Sequence, residues 1–170
     1  MIESILRGYY FKSRQYSDLR FIVELLILSF ALKFALGLSF AFLNTGPVDN
    51  AALAQTAMNP LLFFVLACLL SPPLETICCQ WLPIAAVSSY TEKLFPPLLL
   101  SSIFFASLHF IGGIFQVLIT FFPGLLFAWS FLVKREQSLW QALWITSLIH
   151  TIHNIASMIL LYSGRFLLNV

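Results

Sequence analysis

The sequence predicts an all-α fold: a polytopic transmembrane helical bundle of about five spans, the second span broken at Pro72-Pro73. Three observations carry this reading. Hydrophobic residues make up 60 % of the 170 and charged residues only 9 %, against about a quarter charged in an ordinary soluble chain. Residues 94–133 and 137–164 contain no Asp, Glu, Lys or Arg. Residues 59–91 contain one, Glu75, and a bilayer crossing takes about 20 apolar residues.

The elements follow in order. Residues 1–20 carry Arg7, Lys12, Arg14 and Arg20 among Tyr9, Tyr10 and Tyr16, a mixture suited to a segment lying at a headgroup surface. Residues 21–170 then form a single transmembrane domain. Span one is expected over Phe21–Leu43, followed by a loop at Asn44–Asn59 with no Lys or Arg. Span two covers Pro60–Tyr90. Its Ser71-Pro72-Pro73 sequence predicts an interruption, because proline removes a backbone donor and suits the first turn of a fresh helix. Span three is Pro97–Ile111, ending at Gly112-Gly113. Span four is Ile114–Val133 and span five Ser138–Tyr162. Glu24 and Lys33 suit anchoring or packing of span one.

A cytoplasmic N-terminus puts Arg7, Lys12, Arg14, Arg20, Lys93, Lys134 and Arg135 inside, seven of the nine basic residues, as the positive-inside rule requires. With its basic residues at span ends, the net charge of +2 does not point to a nucleic-acid partner. The first 20 residues lack the pattern of a cleavable signal peptide. Cys68, Cys78 and Cys79 fall in apolar runs and read as membrane-buried thiols, the adjacent pair being unable to close an ordinary bridge.

Four polar residues are out of place in hydrocarbon, where such groups are costly and mark a site or a pairing. At 1.5 Å per residue, Glu75 lies roughly 22 Å from the end of its span near Tyr90. His109 and His150 each lie roughly 18 Å from the starts of theirs, and Asn154 one turn beyond His150. Three helices thus place their anomalous residues in one slab. His150 and Asn154 share a helix face at i, i+4, as do Phe105 and His109, and Glu75 and Cys79. His153 sits at the edge of the same face.

The chemistry this set supports is amide hydrolysis. A carboxylate can act as general base on a water, with an imidazole sharing the work. A second imidazole and an amide can donate to the oxyanion that develops on the scissile carbonyl. Alternatively, Glu75, His109 and His150 could bind a divalent metal such as zinc that activates the water. Cys79 is a poor candidate nucleophile, since an apolar setting leaves a thiol unreactive. The bland alternative is a polar network that only holds the bundle together.

At these residues the chain resembles the CAAX-protease and bacteriocin-processing (Abi) family of intramembrane proteases. That family is marked by Glu-Glu-x-x-x-Arg, Phe-x-x-x-His and His-x-x-x-Asn/Asp. Here the three appear as Glu75-Thr76-Ile77-Cys78-Cys79-Gln80, Phe105 to His109, and His150 to Asn154. The resemblance covers about residues 70–157, including Phe122-Pro123-Gly124-Leu125-Leu126 and Ser138-Leu139-Trp140. It implies a helical membrane fold with an intrabilayer cavity. It also implies Glu75 as general base, His109 assisting, and His150 and Asn154 at the oxyanion. Two positions depart from the pattern, Thr76 for the second glutamate and Gln80 for the arginine. Lys33 offers a replacement cation.

Two functions follow. The first is an intramembrane endopeptidase acting on a membrane-embedded peptide or protein. The second is a catalytically degenerate relative serving as a binding or assembly subunit in a membrane-protein complex. A transporter or channel is disfavoured, lacking paired broken helices or charged rings.

Overall fold

The computed structural model describes residues 1–42 and 59–168, and among them every regular element is helical. We label the helices α1 (Ile2–Ser13), α2 (Asp18–Phe42), α3 (Pro60–Ser88), α4 (Phe95–Ser107), α5 (Ile114–Lys134) and α6 (Leu139–Leu168). Helices α3, α5 and the Leu139–Leu160 part of α6 are long and apolar enough to cross a membrane, and α4 is a shorter apolar helix. The chain is an integral, multi-pass membrane protein. Most of the loop expected at 44–59, the end of span one and the side chain of Arg165 lie outside what the structure describes.

Helix α5 is the centre of the bundle, packing on α2, α4 and α6. From Leu126 to Lys134 each of its residues is buried. Phe21 and Leu25 of α2, Ile84 of α3, Phe105 of α4 and Ile149 of α6 close around it. Leu61, Leu66, Leu70, Leu74 and Leu82 of α3 stay exposed, as suits a helix whose outer face meets hydrocarbon rather than water. Helices α4 and α5 meet at Gly124, where an added Cβ would lie 2.9 Å from Phe105 Cδ1. Between these helices runs a short 3₁₀ turn, Phe110–Gly112. Gly113, at φ 87°, then swings the chain into α5, a conformation other residues resist.

The expected break at Pro72-Pro73 is corrected by the structure: α3 runs unbroken from Pro60 to Ser88. It absorbs its prolines by widening its turns. Phe64–Leu70 and Thr76–Trp81 are π-helical, flanking the α-helical Ser71–Glu75. The Ser71 N–H bonds to the Leu66 carbonyl five residues back. In that register Ala67 would next receive Pro72, which has no N–H to give. Asn154 Nδ2 of α6 donates to the Ala67 carbonyl instead, at 2.8 Å. The Cys79 carbonyl would meet Pro83 in ordinary α register, and the Ser101 hydroxyl of α4 supplies its donor at 2.7 Å. Side chains from neighbouring helices therefore replace donors that proline removes, as lipid-buried backbone requires.

Polar pairing also ties one end of the bundle. Lys134 Nζ, with none of its surface exposed, lies 2.6 Å from Asp18 Oδ1. Gln141 Nε2 donates to Asp18 Oδ2 at 2.7 Å, and Arg135 to Ser88 Oγ at 3.0 Å. Helix α1 docks beside this layer. Tyr9 stacks on Trp129 at 5.3 Å, and its hydroxyl donates to Glu24. The Glu3 carboxylate accepts from the Leu94 and Phe95 amides at 3.0 and 3.3 Å. It thereby caps α4, whose own N-cap Leu94 has no side-chain oxygen.

Candidate active site

Glu75 closes the α-helical island between the two π segments, so its direction is set by the widened turns on either side. Four residues earlier, on the same face, the Ser71 hydroxyl donates to Glu75 Oε1. Glu75 Oε2 is buried without a hydrogen-bond partner and lies 3.7 Å from His150 Nε2. The carboxylate thus has one oxygen fixed and one in reserve.

His150 is 2 % exposed. Its ring stacks on Phe127 at 4.3 Å and meets the edge of Phe105 at 5.5 Å, so α4 and α5 together aim it at α3. His109 differs from expectation. Helix α4 ends at Ser107, and His109, at φ −94° and ψ 9°, stands just past its last turn. Its backbone amide still reaches the Ala106 carbonyl at 3.0 Å, and Nδ1 lies 2.9 Å from the Phe105 carbonyl. A carbonyl only accepts, so Nδ1 carries the proton, and in the neutral ring Nε2 is the acceptor. Phe105 therefore touches both imidazoles: its ring is 4.9 Å from His109. Close approach of α5 at Gly124 presses that ring into place.

Glu75, His109, His150 and Asn154 all line one cavity of about 420 Å³, many times the roughly 30 Å³ that a liquid water occupies. His153 and Lys33 line it too. His153 Nδ1 is 2.8 Å from Ser29 Oγ and its ring stacks on Phe30, which ties α6 to α2. Asn154 has a structural duty not expected from the sequence, since one of its two amide hydrogens is spent on Ala67.

Thr76 and Gln80, where the motif departs, are fully buried and not on the cavity wall. Thr76 Oγ1 and both polar atoms of the Gln80 side chain have no partner among the described residues. Lys33 does reach the cavity, yet its ammonium donates to Ser157 Oγ at 2.7 Å. His150 Nε2 lies 3.7 Å from the Glu75 carboxylate. The metal alternative does not fit the geometry: among the described residues no three His, Cys, Asp or Glu side chains are grouped to hold an ion. Cys79 is buried and absent from the cavity wall, whereas Cys68 lines it.

Sequence reasoning overlooked Ser71, which its spacing of four from Glu75 could have shown. It also overlooked Phe127, whose stacking under His150 leaves no sequence signal. Chemically, the arrangement sets an acid oxygen 3.7 Å from an imidazole nitrogen, on residues that line one cavity together with a further imidazole and an amide.

Residues 57–156 match the family described as Type II CAAX prenyl endopeptidase Rce1-like. No curated protein and no solved structure matches the chain.

Proposed function

We propose, since the chain belongs to the Type II CAAX prenyl endopeptidase Rce1-like family, that it hydrolyses a peptide bond of a membrane-associated peptide or protein, with Glu75 as general base. The observation that carries this reading is the unpartnered Glu75 Oε2 within 3.7 Å of His150 Nε2 on the wall of a cavity. Glu75 takes a proton from a water through that oxygen while Ser71 holds the other. The water oxygen attacks the scissile carbonyl. His109, with its proton on Nδ1, steadies the water through Nε2. His150 and the remaining Asn154 N–H face the oxyanion, and the proton held by Glu75 passes to the leaving amine. The charge-free runs of the sequence support five spans, and the basic-residue pattern supports a cytoplasmic N-terminus.

The test is Glu75→Gln in purified full-length protein in lipid nanodiscs, assayed on membrane-partitioned peptides. Cleavage is abolished while insertion and thermal unfolding stay unchanged. Undiminished turnover in that variant rejects the proposal.

A second reading rests on Thr76 and Gln80, which stand where the family carries an acid and a base and have no described partners. In it the chain is a degenerate relative that binds another membrane protein. It requires a copurifying partner whose association survives Glu75→Gln. A lone purified species that cleaves peptide rules it out.

A further inference from the structure

Across the cavity, α2 and α6 face each other through two polar rungs. Ser29 meets His153, and four residues on in each helix Lys33 meets Ser157. The first rung joins two neutral groups. The second brings a lysine side chain to the cavity wall on a helix that otherwise shows hydrocarbon-like residues, such as Phe34, to its surroundings. Among the described residues no carboxylate forms an ion pair with Lys33. A hydroxyl takes one of the three hydrogens an ammonium carries. Lys33 shares the cavity wall with Phe63, Ile119 and Met158. An ammonium in such surroundings is retained at a cost that a structural packing role does not explain.

Lys33 does not stand in for the arginine missing at Gln80, because the neighbour of Glu75 is His150 and Lys33 is held at Ser157. Ser157 is seven residues beyond His150, two turns or roughly 10 Å along α6. Both Lys33 and Ser157 lie outside the matched 57–156.

We propose that Lys33, held by Ser157, is the subsite that binds the terminal carboxylate of an apolar substrate peptide lying in the cavity. A carboxylate suits a single ammonium that still has donors to give. An apolar peptide suits the Phe, Ile and Met walls, and the two turns between Ser157 and His150 leave room for a short extended stretch ending at the cation. The proposal rests on the peptidase reading for its substrate but makes Lys33 a specificity residue, remote from the reacting atoms.

The test is binding, measured apart from cleavage. Full-length protein carrying Glu75→Gln, in nanodiscs of neutral lipid, is titrated with a dansyl-labelled Leu/Ala hexapeptide as free acid and as C-terminal amide. The acid binds about tenfold more tightly or better, the range expected of a charge-assisted hydrogen bond in place of a neutral one. Lys33→Met brings acid and amide within about twofold, and Lys33→Arg keeps the preference. Lys33→Gln gives the same loss should the Met variant not fold. Unlabelled palmitate is the competitor that separates a peptide site from a fatty-acid site. Equal binding of acid and amide to the parent protein overturns the proposal, as does preference surviving in Lys33→Met or Lys33→Gln, or binding of palmitate without binding of the peptide acid. Acid preference in a protein that cleaves nothing keeps the subsite and sinks only the peptidase reading.

Discussion

Asp18 and Glu75 are both carboxylates packed against helices of the same bundle, and their surroundings treat them in opposite ways. Asp18 spends one oxygen on Lys134 and the other on Gln141, locking the start of α2 to the end of α5 and the start of α6. Glu75 has one oxygen held by Ser71 and the other buried without a partner, on a residue that lines the cavity. Completed polarity fastens helices; polarity left incomplete on a cavity wall is available for chemistry. The cost of leaving a buried oxygen unpaired, about 1–3 kcal/mol, is tolerated at Glu75.

Paired substitutions break this comparison most sharply. Where Glu75→Gln removes turnover and leaves stability intact, Asp18→Ala does the reverse. It leaves the fully buried Lys134 uncompensated, at a cost that the 44 % exposure of Asp18 holds below the about 3–5 kcal/mol of a wholly buried pair. The midpoint of unfolding in detergent falls, and cleavage per folded molecule is unchanged. A variant of Asp18 that is stable but inactive would erase the distinction drawn between the two sites.

Gly124→Ala tests how far the two regions are coupled. The new methyl meets Phe105 Cδ1 at 2.9 Å, and Phe105 carries both imidazoles. Overpacking of this kind costs about 1–3 kcal/mol. Turnover is expected to fall more steeply than stability, because the ring under pressure orients His109 and His150. Equal or smaller loss of turnover would show that the rings hold their places without Phe105.

The smallest effect belongs to α1. Backbone amides of Leu94 and Phe95, with Arg7 alongside, hold the Glu3 carboxyl below its ordinary value of 4.5, the Leu94 amide contributing most. A carboxyl depressed on folding stabilises the folded state above its unfolded value. That contribution fades as pH falls from about 4.5 through the lowered value. Glu3→Gln therefore lowers the stability of α1 docking by about 0.5–1 kcal/mol at pH 7, and the difference from the parent shrinks as pH falls below 4.5 through the lowered value. Hydrogen exchange in α1 reads it. A difference that does not shrink on acidification would assign the effect to packing rather than to charge.

The sequence was most legible where physics allows few choices. Long charge-free runs place the starts of α3, α4, α5 and α6 within two residues of those observed, because backbone in lipid must be helical or closed into a barrel. Counting 1.5 Å per residue brings Glu75, His109, His150 and Asn154 to one depth, and one cavity does hold all four. Less legible was anything depending on the partner helix. Pro72-Pro73 reads as a break, yet a change of register plus one asparagine from α6 keeps α3 whole. The same asparagine reads as an oxyanion donor, and half its donor capacity goes to Ala67. His109 reads as helical and stands past the helix end. Spacing within a segment tells which residues share a face; it does not tell what the facing segment brings.

The bond from Asn154 to Ala67 has a consequence for biogenesis. The strand of protein that carries Glu75 enters the bilayer well before α6 has been made, and until then the Ala67 carbonyl has no protein donor in hydrocarbon. The last long helix of the chain is what completes the third. A chain truncated before residue 154 would carry the glutamate in a helix whose Ala67 carbonyl lacks the donor that α6 supplies.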